Sequence, residues 1–297
     1  MLCVDFLTNI ATKSISDITM NSDDQWRKYP TVGFDYWTNF GNRLVELMEI
    51  NAGAKVLDVG TGSGACLIAA AKKIGSTGKI IGIDSWEKIL AETTENIWKF
   101  DLANASVQKM DAEDMTFEDN SFDCVLCGFI GFDDVFDFEQ HKYKEQNKKM
   151  NEIIRVLKKG GKAGFSTWEL QEDIQVLGEL ARKYLTEEAS ENPKKMESIP
   201  TGYSKETTEG FEKLMADAGF QNIKIVTEKF DMVYRNEEEW WKTMSEVGWD
   251  VLSRTIGSES KALQDFKEKM LLDGLQDYKR DNGICFTKSV IFAFGTK

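Results

Sequence analysis

The chain has 297 residues, of which 41% are hydrophobic and 29% charged. That composition belongs to a soluble globular protein long enough to bury a substantial core. Its 37 basic and 50 acidic residues leave a formal charge of −13, which repels a phosphate backbone at long range, and no basic stripe interleaved with aromatics offsets this locally, so no nucleic-acid partner is expected.

The N-terminus, MLCVDFLTNIATK, has no basic leader and Asp5 interrupts its short apolar stretch, so no signal peptide is expected. No apolar run approaches the ~20 residues of a membrane span. Five scattered cysteines suit a reducing compartment, and a cytoplasmic location is expected. The first 25 residues carry mixed signals. From Trp26 an aromatic cluster, which includes Tyr36, Trp37 and Phe40, runs into the helical pattern Leu44, Val45, Leu47 and Met48.

Residues 55–59 form a short β-branched and apolar run containing Asp58, followed by Gly60, Thr61, Gly62 and Gly64 and then by the small-residue stretch 65–74. This reads as strand, tight turn and buried helix. Alternate glycines permit φ > 0 and let a ligand approach the main chain without meeting a Cβ. The G-x-G-x-G spacing differs from the G-x-G-x-x-G of dinucleotide sites, and no Gly-Lys-Ser/Thr follows to hold a triphosphate. A second strand, 79–83, ends on Asp84, with Ser85 placed to cap a helix beginning near Trp86. A third, 105–109, is followed by Asp111. Three successive strands therefore bring a carboxylate to one sheet edge, where ligands sit in open α/β sheets.

Residues 119–127 read as a turn and fourth strand, leading into an apolar loop at Gly128, Phe129, Ile130 and Gly131. Cys124 and Cys127 lie three apart in that strand and so face opposite sides; both are read as buried thiols beside the ligand seat, without a shared metal. A polar helical stretch is expected over 139–149, continued over 151–157, then a tight turn at Lys158, Lys159, Gly160 and Gly161 into a fifth strand, 162–167. A helix over 206–218, a sixth strand over 223–230 and a seventh over 285–294 complete the pattern. Strand and helix alternate, which predicts right-handed crossovers and a parallel sheet. No internal repeat or low-complexity linker divides the chain.

The stretch from about Val56 to Thr167, with its glycine turn, the acids Asp58, Asp84 and Asp111, and the RVLKKGGK turn, resembles the class I S-adenosylmethionine-dependent methyltransferases. Within that family, residues 53–123 are most similar to the ubiquinone- and menaquinone-biosynthesis-like group. RVLKKGGK carries a Lys where a Pro is often found. The resemblance implies a Rossmann-like α/β fold, a seven-stranded and mostly parallel sheet with an antiparallel last strand and helices on both faces. It implies one domain, with an N-terminal cap over 1–50, a cofactor-binding core over 51–168, and helical insertions over 169–203 and 236–283 that form a substrate lid or a homodimer interface.

The resemblance also assigns roles. Asp84 would hold both ribose hydroxyls, since a carboxylate accepts a vicinal diol in bidentate fashion. Asp111 would accept from the adenine amino group and the Ala112 amide would donate to the ring. Asp58 would place the glycine turn and the methionine ammonium, Ile89, Trp86 and Met110 would sandwich the adenine, Gly128 would line the methionine arm, and Tyr36 and Trp37 would close the pocket. S-adenosyl-L-methionine is the implied cofactor and no metal is implied.

Methyl transfer from a sulfonium needs a base only if the nucleophile arrives protonated. His141 is the one histidine and an obvious candidate, although its charged neighbours point to an exposed face; Tyr36, Tyr203 and Asp133 are alternatives. Eight tryptophans suit a flat apolar acceptor or an amine held by cation–π contact as well as a structural core. A small-molecule acceptor at O, N or C is expected, with a protein or RNA acceptor, or a nucleoside-binding protein without transfer, as the alternatives.

Overall fold

A computed structural model describes residues 34–188, 206–247, 252–253, 255–257 and 260–297. Expectations for Trp26, Tyr203 and the second half of the 169–203 insertion lie outside these residues, as does the side chain of Tyr36. The described helices are α1 (Phe34–Met48), α2 (Ala65–Ile74), α3 (Glu87–Lys99), α4 (Lys148–Val156), α5 (Glu172–Glu188), α6 (Thr208–Asp217), α7 (Glu237–Val247) and α8 (Ser260–Gly274). The strands are β1 (Lys55–Val59), β2 (Lys79–Asp84), β3 (Ala105–Lys109), β4 (Phe122–Gly128), a hairpin of β5 (Phe136–Asp137) and β6 (Lys142–Tyr143), β7 (Leu157–Gln171), β8 (Gln221–Tyr234), β9 (Lys279–Arg280) and β10 (Gly283–Thr296).

The main sheet runs in the order β3-β2-β1-β4-β7-β10-β8, with β9 paired to β10. From β3 to β7 the pairing is parallel; β10 is antiparallel to both β7 and β8. The mostly parallel sheet with an antiparallel last strand is therefore present, extended by the short β9. Alternation along β1 and β4 splits the core in two. Val56, Cys124 and Leu126 pack with α1 and α2 on one face, against Phe40, Leu44, Leu67 and Ala70. Leu57, Val59, Val125 and Cys127 pack with α4 and α6 on the other, against Ile153, Phe211 and Leu214. The two cysteines thus face opposite cores, as the period of a strand requires.

Three local expectations are corrected. Residues 139–147 are not helical: the Asp137 carboxylate accepts from the amides of Glu139 and Gln140, His141 takes a left-handed φ of 51°, and the chain folds back so that the Phe136 and Tyr143 rings meet edge to face. Side-chain acceptance of backbone N–H groups outcompetes the helix there. Ser85 does not cap α3. The N-cap position is Trp86, which makes no side-chain cap; the Asp84 carboxylate accepts from the Trp86 amide at 3.0 Å, and Ser85 is exposed. Gly160 and Gly161 do not separate a turn from a strand. β7 continues through them, its register against β4 jumping from Phe122↔Leu157 to Cys124↔Lys162, while Gly160 donates to the Lys297 carbonyl and Lys297 donates back to Gly161. Lys297, the residue after β10, supplies the partners that make the bulge cheaper than a turn.

β8 and β10 are also longer than expected, at 14 residues each. They pair from Ile284↔Tyr234 to Thr296↔Gln221 and project past the parallel strands toward α5, α7 and α8.

Candidate active site

The glycine turn sits where β1 enters α2. Gly60, Gly62 and Gly64 all have positive φ, at 67°, 53° and 94°, which only glycine adopts without strain. Neighbouring elements fix it from behind. The Thr61 amide donates to Ile83 O at 2.9 Å, the Asn96 side-chain amide donates to Ser63 O at 3.0 Å, and the Thr93 hydroxyl donates to the Gly62 carbonyl. The helix α1 presses on it as well: a Cβ on Gly41 would stand 2.6 Å from the Ala65 carbonyl carbon, so α1 reaches the turn only through a bare Cα.

A cavity of about 250 Å³ opens over this turn. Asp58, Gly60, Gly62, Cys66, Ile89 and Gly128 line its floor, and Trp37, Phe40 and Phe129 its wall. A larger depression of about 550 Å³ lies at the opposite edge of the sheet, around Lys72, Gly75 and Asn104. There the Asn104 side-chain amide is already used by the Ala71 and Gly75 carbonyls, so size does not locate the site; the side chains do.

Asp58 is 1% exposed. Its Oδ2 accepts from the Thr61 hydroxyl at 2.7 Å, and its Oδ1 has no partner. Burial pushes its carboxyl up to about 7; the Thr61 hydroxyl and the nearby Leu67 amide pull the other way, and the Asp84 charge adds to the rise. A buried acceptor left open against a cavity fits a cationic hydrogen-bond donor such as an ammonium group. Gly128 gives a second indication, since a Cβ there would lie 2.9 Å from Cys66 Sγ and fill the floor.

Asp84 joins the turn directly, its Oδ2 accepting from the Gly62 amide at 3.1 Å. The Met110 amide donates to the Asp84 carbonyl at 3.0 Å, which brings the start of the Asp111 loop to the same edge. Asp111 is exposed, its Oδ1 accepting from the Glu113 amide at 2.9 Å, and Ala112 beside it is half-buried. Trp86 leaves 60% of its surface exposed next to Asp84. His141 and Asp133 are exposed and stand apart from the cavity lining, on the hairpin and the loop before it.

Sequence reasoning missed most of the wall. Phe129 packs, tilted or edge to face, among Trp37 at 5.3 Å, Phe40 at 5.2 Å and Trp168 at 4.7 Å between centroids. Its left-handed φ of 55° and its amide bond to Ser166 O at 2.8 Å aim it there. The sequence shows Cys66 only as one of five scattered thiols, yet among the described cysteines it is the one that lines the cavity. A Cys at the first turn of a helix that follows a glycine turn was the available signal.

A family described as a methyltransferase domain matches residues 50–219. Over 109 residues the chain is 38% identical to aklanonic acid methyltransferase DauC of Streptomyces sp. (strain C5), covering 37% of this chain and 50% of that protein. Over 130 residues it is 38% identical to demethylmenaquinone methyltransferase of Staphylococcus aureus (strain MRSA252), covering 44% of this chain and 49% of that one. The chain thus spans about half the length of these curated relatives. Among solved structures, the YcgJ protein of Bacillus subtilis superposes with a TM-score of 0.53 at 18% identity, over 87% of this chain and 98% of its own. The [4+2]-cyclase SpnF superposes with a TM-score of 0.50 at 17% identity, over 87% and 80%, so the fold alone does not fix the chemistry. Family match, sheet order and the glycine-cradled cavity agree: the chain belongs to the class I S-adenosylmethionine-dependent methyltransferases.

Proposed function

We propose that this protein transfers a methyl group to a small, flat acceptor bound against the aromatic wall beside the cofactor cavity. The observation that carries the reading is the open Oδ1 of Asp58, buried within a glycine cradle and next to Asp84. Bound S-adenosylmethionine supplies a methyl on a sulfonium. The chain's own residues then bind and orient. Asp58 holds the ammonium end, and Asp84, with lone pairs beyond those used by Gly62 and Trp86, holds the ribose hydroxyls. Asp111 and Ala112 read the adenine edge, while Ile89, Trp86 and Met110 cover its faces. Gly60, Thr61, Gly62, Gly64 and Gly128 let the methionine arm lie on the backbone, with Ser85 at the rim.

Trp37, Phe40 and Phe129 exclude water around the reacting centre, so that positioning and desolvation supply much of the rate. His141 is not assigned a proton-transfer role, because it is exposed on the hairpin. A small-molecule acceptor is supported by the printed names of the relatives and by the formal charge of −13, which disfavours RNA. In this reading the helices of the two insertions, α5, α7 and α8, serve as a lid over the acceptor. Free thiols at Cys66, Cys124, Cys127 and Cys285 support a cytoplasmic setting, and no described helix is long and apolar enough to cross a membrane.

The test is calorimetric titration with S-adenosylmethionine, followed by labelled-methyl transfer into a fractionated cell extract. Saturable binding and label in the small-molecule fraction are expected. Label confined to protein or RNA would overturn the acceptor class.

A further inference from the structure

The loop that leaves β4 carries an unusual load. Phe129 and Gly131 both take left-handed backbone, at φ 55° and 76°, and Phe129 does so without glycine's freedom, so neighbouring groups must hold it there. Besides the Phe129 amide bond to Ser166, two side chains from elsewhere seize this loop. Lys149, buried in α4, donates from Nζ to the Gly131 carbonyl at 3.1 Å and to both carboxylate oxygens of Asp134 at 2.9 Å. Glu206, at the entrance to α6, accepts from the Phe132 amide at 2.8 Å through Oε1.

Glu206 is 4% exposed, and its Oε2 has no hydrogen-bond partner. Burial pushes its carboxyl up to about 7, against the Thr167 hydroxyl and the Phe132 amide, which lower it, as does Lys149; Asp133 raises it. Burying such a group is unfavourable, and it has no role in the binding described above. What it holds, however, is the strand-to-loop segment that carries Phe129 into the cavity wall and Ile130 to within 3.2 Å of a Cβ at Gly60.

We infer that Glu206 and Lys149 are positioning residues for the cofactor cavity: together they clamp the backbone at Gly131 and Phe132 so that the Phe129 ring closes the wall. The inference rests on the cavity being the S-adenosyl site. It also separates geometry from charge, because a glutamine at 206 keeps the oxygen that Phe132 needs.

The probe is S-adenosyl-L-homocysteine, titrated calorimetrically into the full chain, with thermal melts to confirm folding. Glu206→Ala is expected to raise Kd about tenfold, while Glu206→Gln stays within about twofold of wild type. In a Phe129→Ala background, Glu206→Ala is expected to add nothing further, since both act through one ring. Lys149→Met, which leaves Glu206 in place, is expected to raise Kd as well and serves if the alanine variant does not fold. Wild-type binding with unchanged affinity in Glu206→Ala or Lys149→Met would overturn the clamp alone. So would a glutamine variant as weak as the alanine one, or an additive double variant. No binding by the wild type would overturn the cofactor reading, and the clamp with it.

Discussion

Two buried aspartates mark the difference between the halves of this sheet. In the parallel half, Asp58 has one oxygen tied to Thr61 and the other open to a cavity. In the antiparallel half, Asp173 is fully engaged: Lys288 lies 2.8 Å from Oδ2, the Tyr234 hydroxyl donates to the same oxygen at 2.5 Å, and the Ile174 amide donates to Oδ1 at 2.9 Å. Both members of the ion pair are 0% exposed, and Lys288 also lies 4.9 Å from the Trp168 ring centre. Equal burial therefore has two meanings. A satisfied buried charge joins β10, α5 and β8 behind the aromatic wall, whereas the open oxygen of Asp58 is, under the function proposed above, kept for a ligand.

Breaking the satisfied cluster should have the largest effect. Lys288→Met strands the Asp173 charge in the core and is expected to destabilise the fold by about 3–5 kcal/mol, read as a lowered denaturant midpoint. A midpoint within experimental error of wild type would contradict the distinction. Next comes Asp84→Ala, which removes the acceptor for Gly62 and Trp86 as well as the assigned ribose contact. Cofactor affinity should fall by about 10–100-fold, from the loss of a charged hydrogen bond worth about 1.5–3 kcal/mol.

Gly41→Ala probes the contact between α1 and the glycine turn without touching a charge. Its Cβ would meet the Ala65 and Cys66 backbone at 2.6–2.8 Å, and backbone cannot rotate away, so a loss of about 1–3 kcal/mol is expected together with weaker cofactor binding. The smallest effect is a pH dependence. Because the folded-state carboxyl of Asp58 sits near 7 rather than 3.8, the ligand-free fold holds a proton that the unfolded chain has released, and its stability falls as pH rises from about 4 to 7. Binding an ammonium requires the ionised form, so affinity should run the other way, rising about tenfold between pH 6 and 8. Calorimetry across that range should show the slope in wild type and lose it in Asp58→Asn; a slope that persists would move the proton elsewhere.

The parallel core was legible because its signals are local. A β-branched run, alternating glycines and an acid at each strand end can be read within a window of about ten residues. His141 shows the limit of such reading. Its charged surroundings resembled a polar helix, and only the Asp137 carboxylate and the Phe136–Tyr143 contact decided for a hairpin. The KKGG segment misled for the same reason, since its bulge depends on Lys297, far away in sequence.

The sequence by itself determined the glycine turn, the acids at the strand ends and the order of strand and helix, all consequences of backbone freedom and hydrophobic period within short stretches. Only the tertiary structure decided which aromatic rings form the wall, which cysteine meets the cavity, and which of two buried aspartates is left open. Those outcomes depend on side chains brought together from distant positions, as Phe40 meets Phe230 and Asp173 meets Lys288, and burial and pairing of that kind have no signature in any local window.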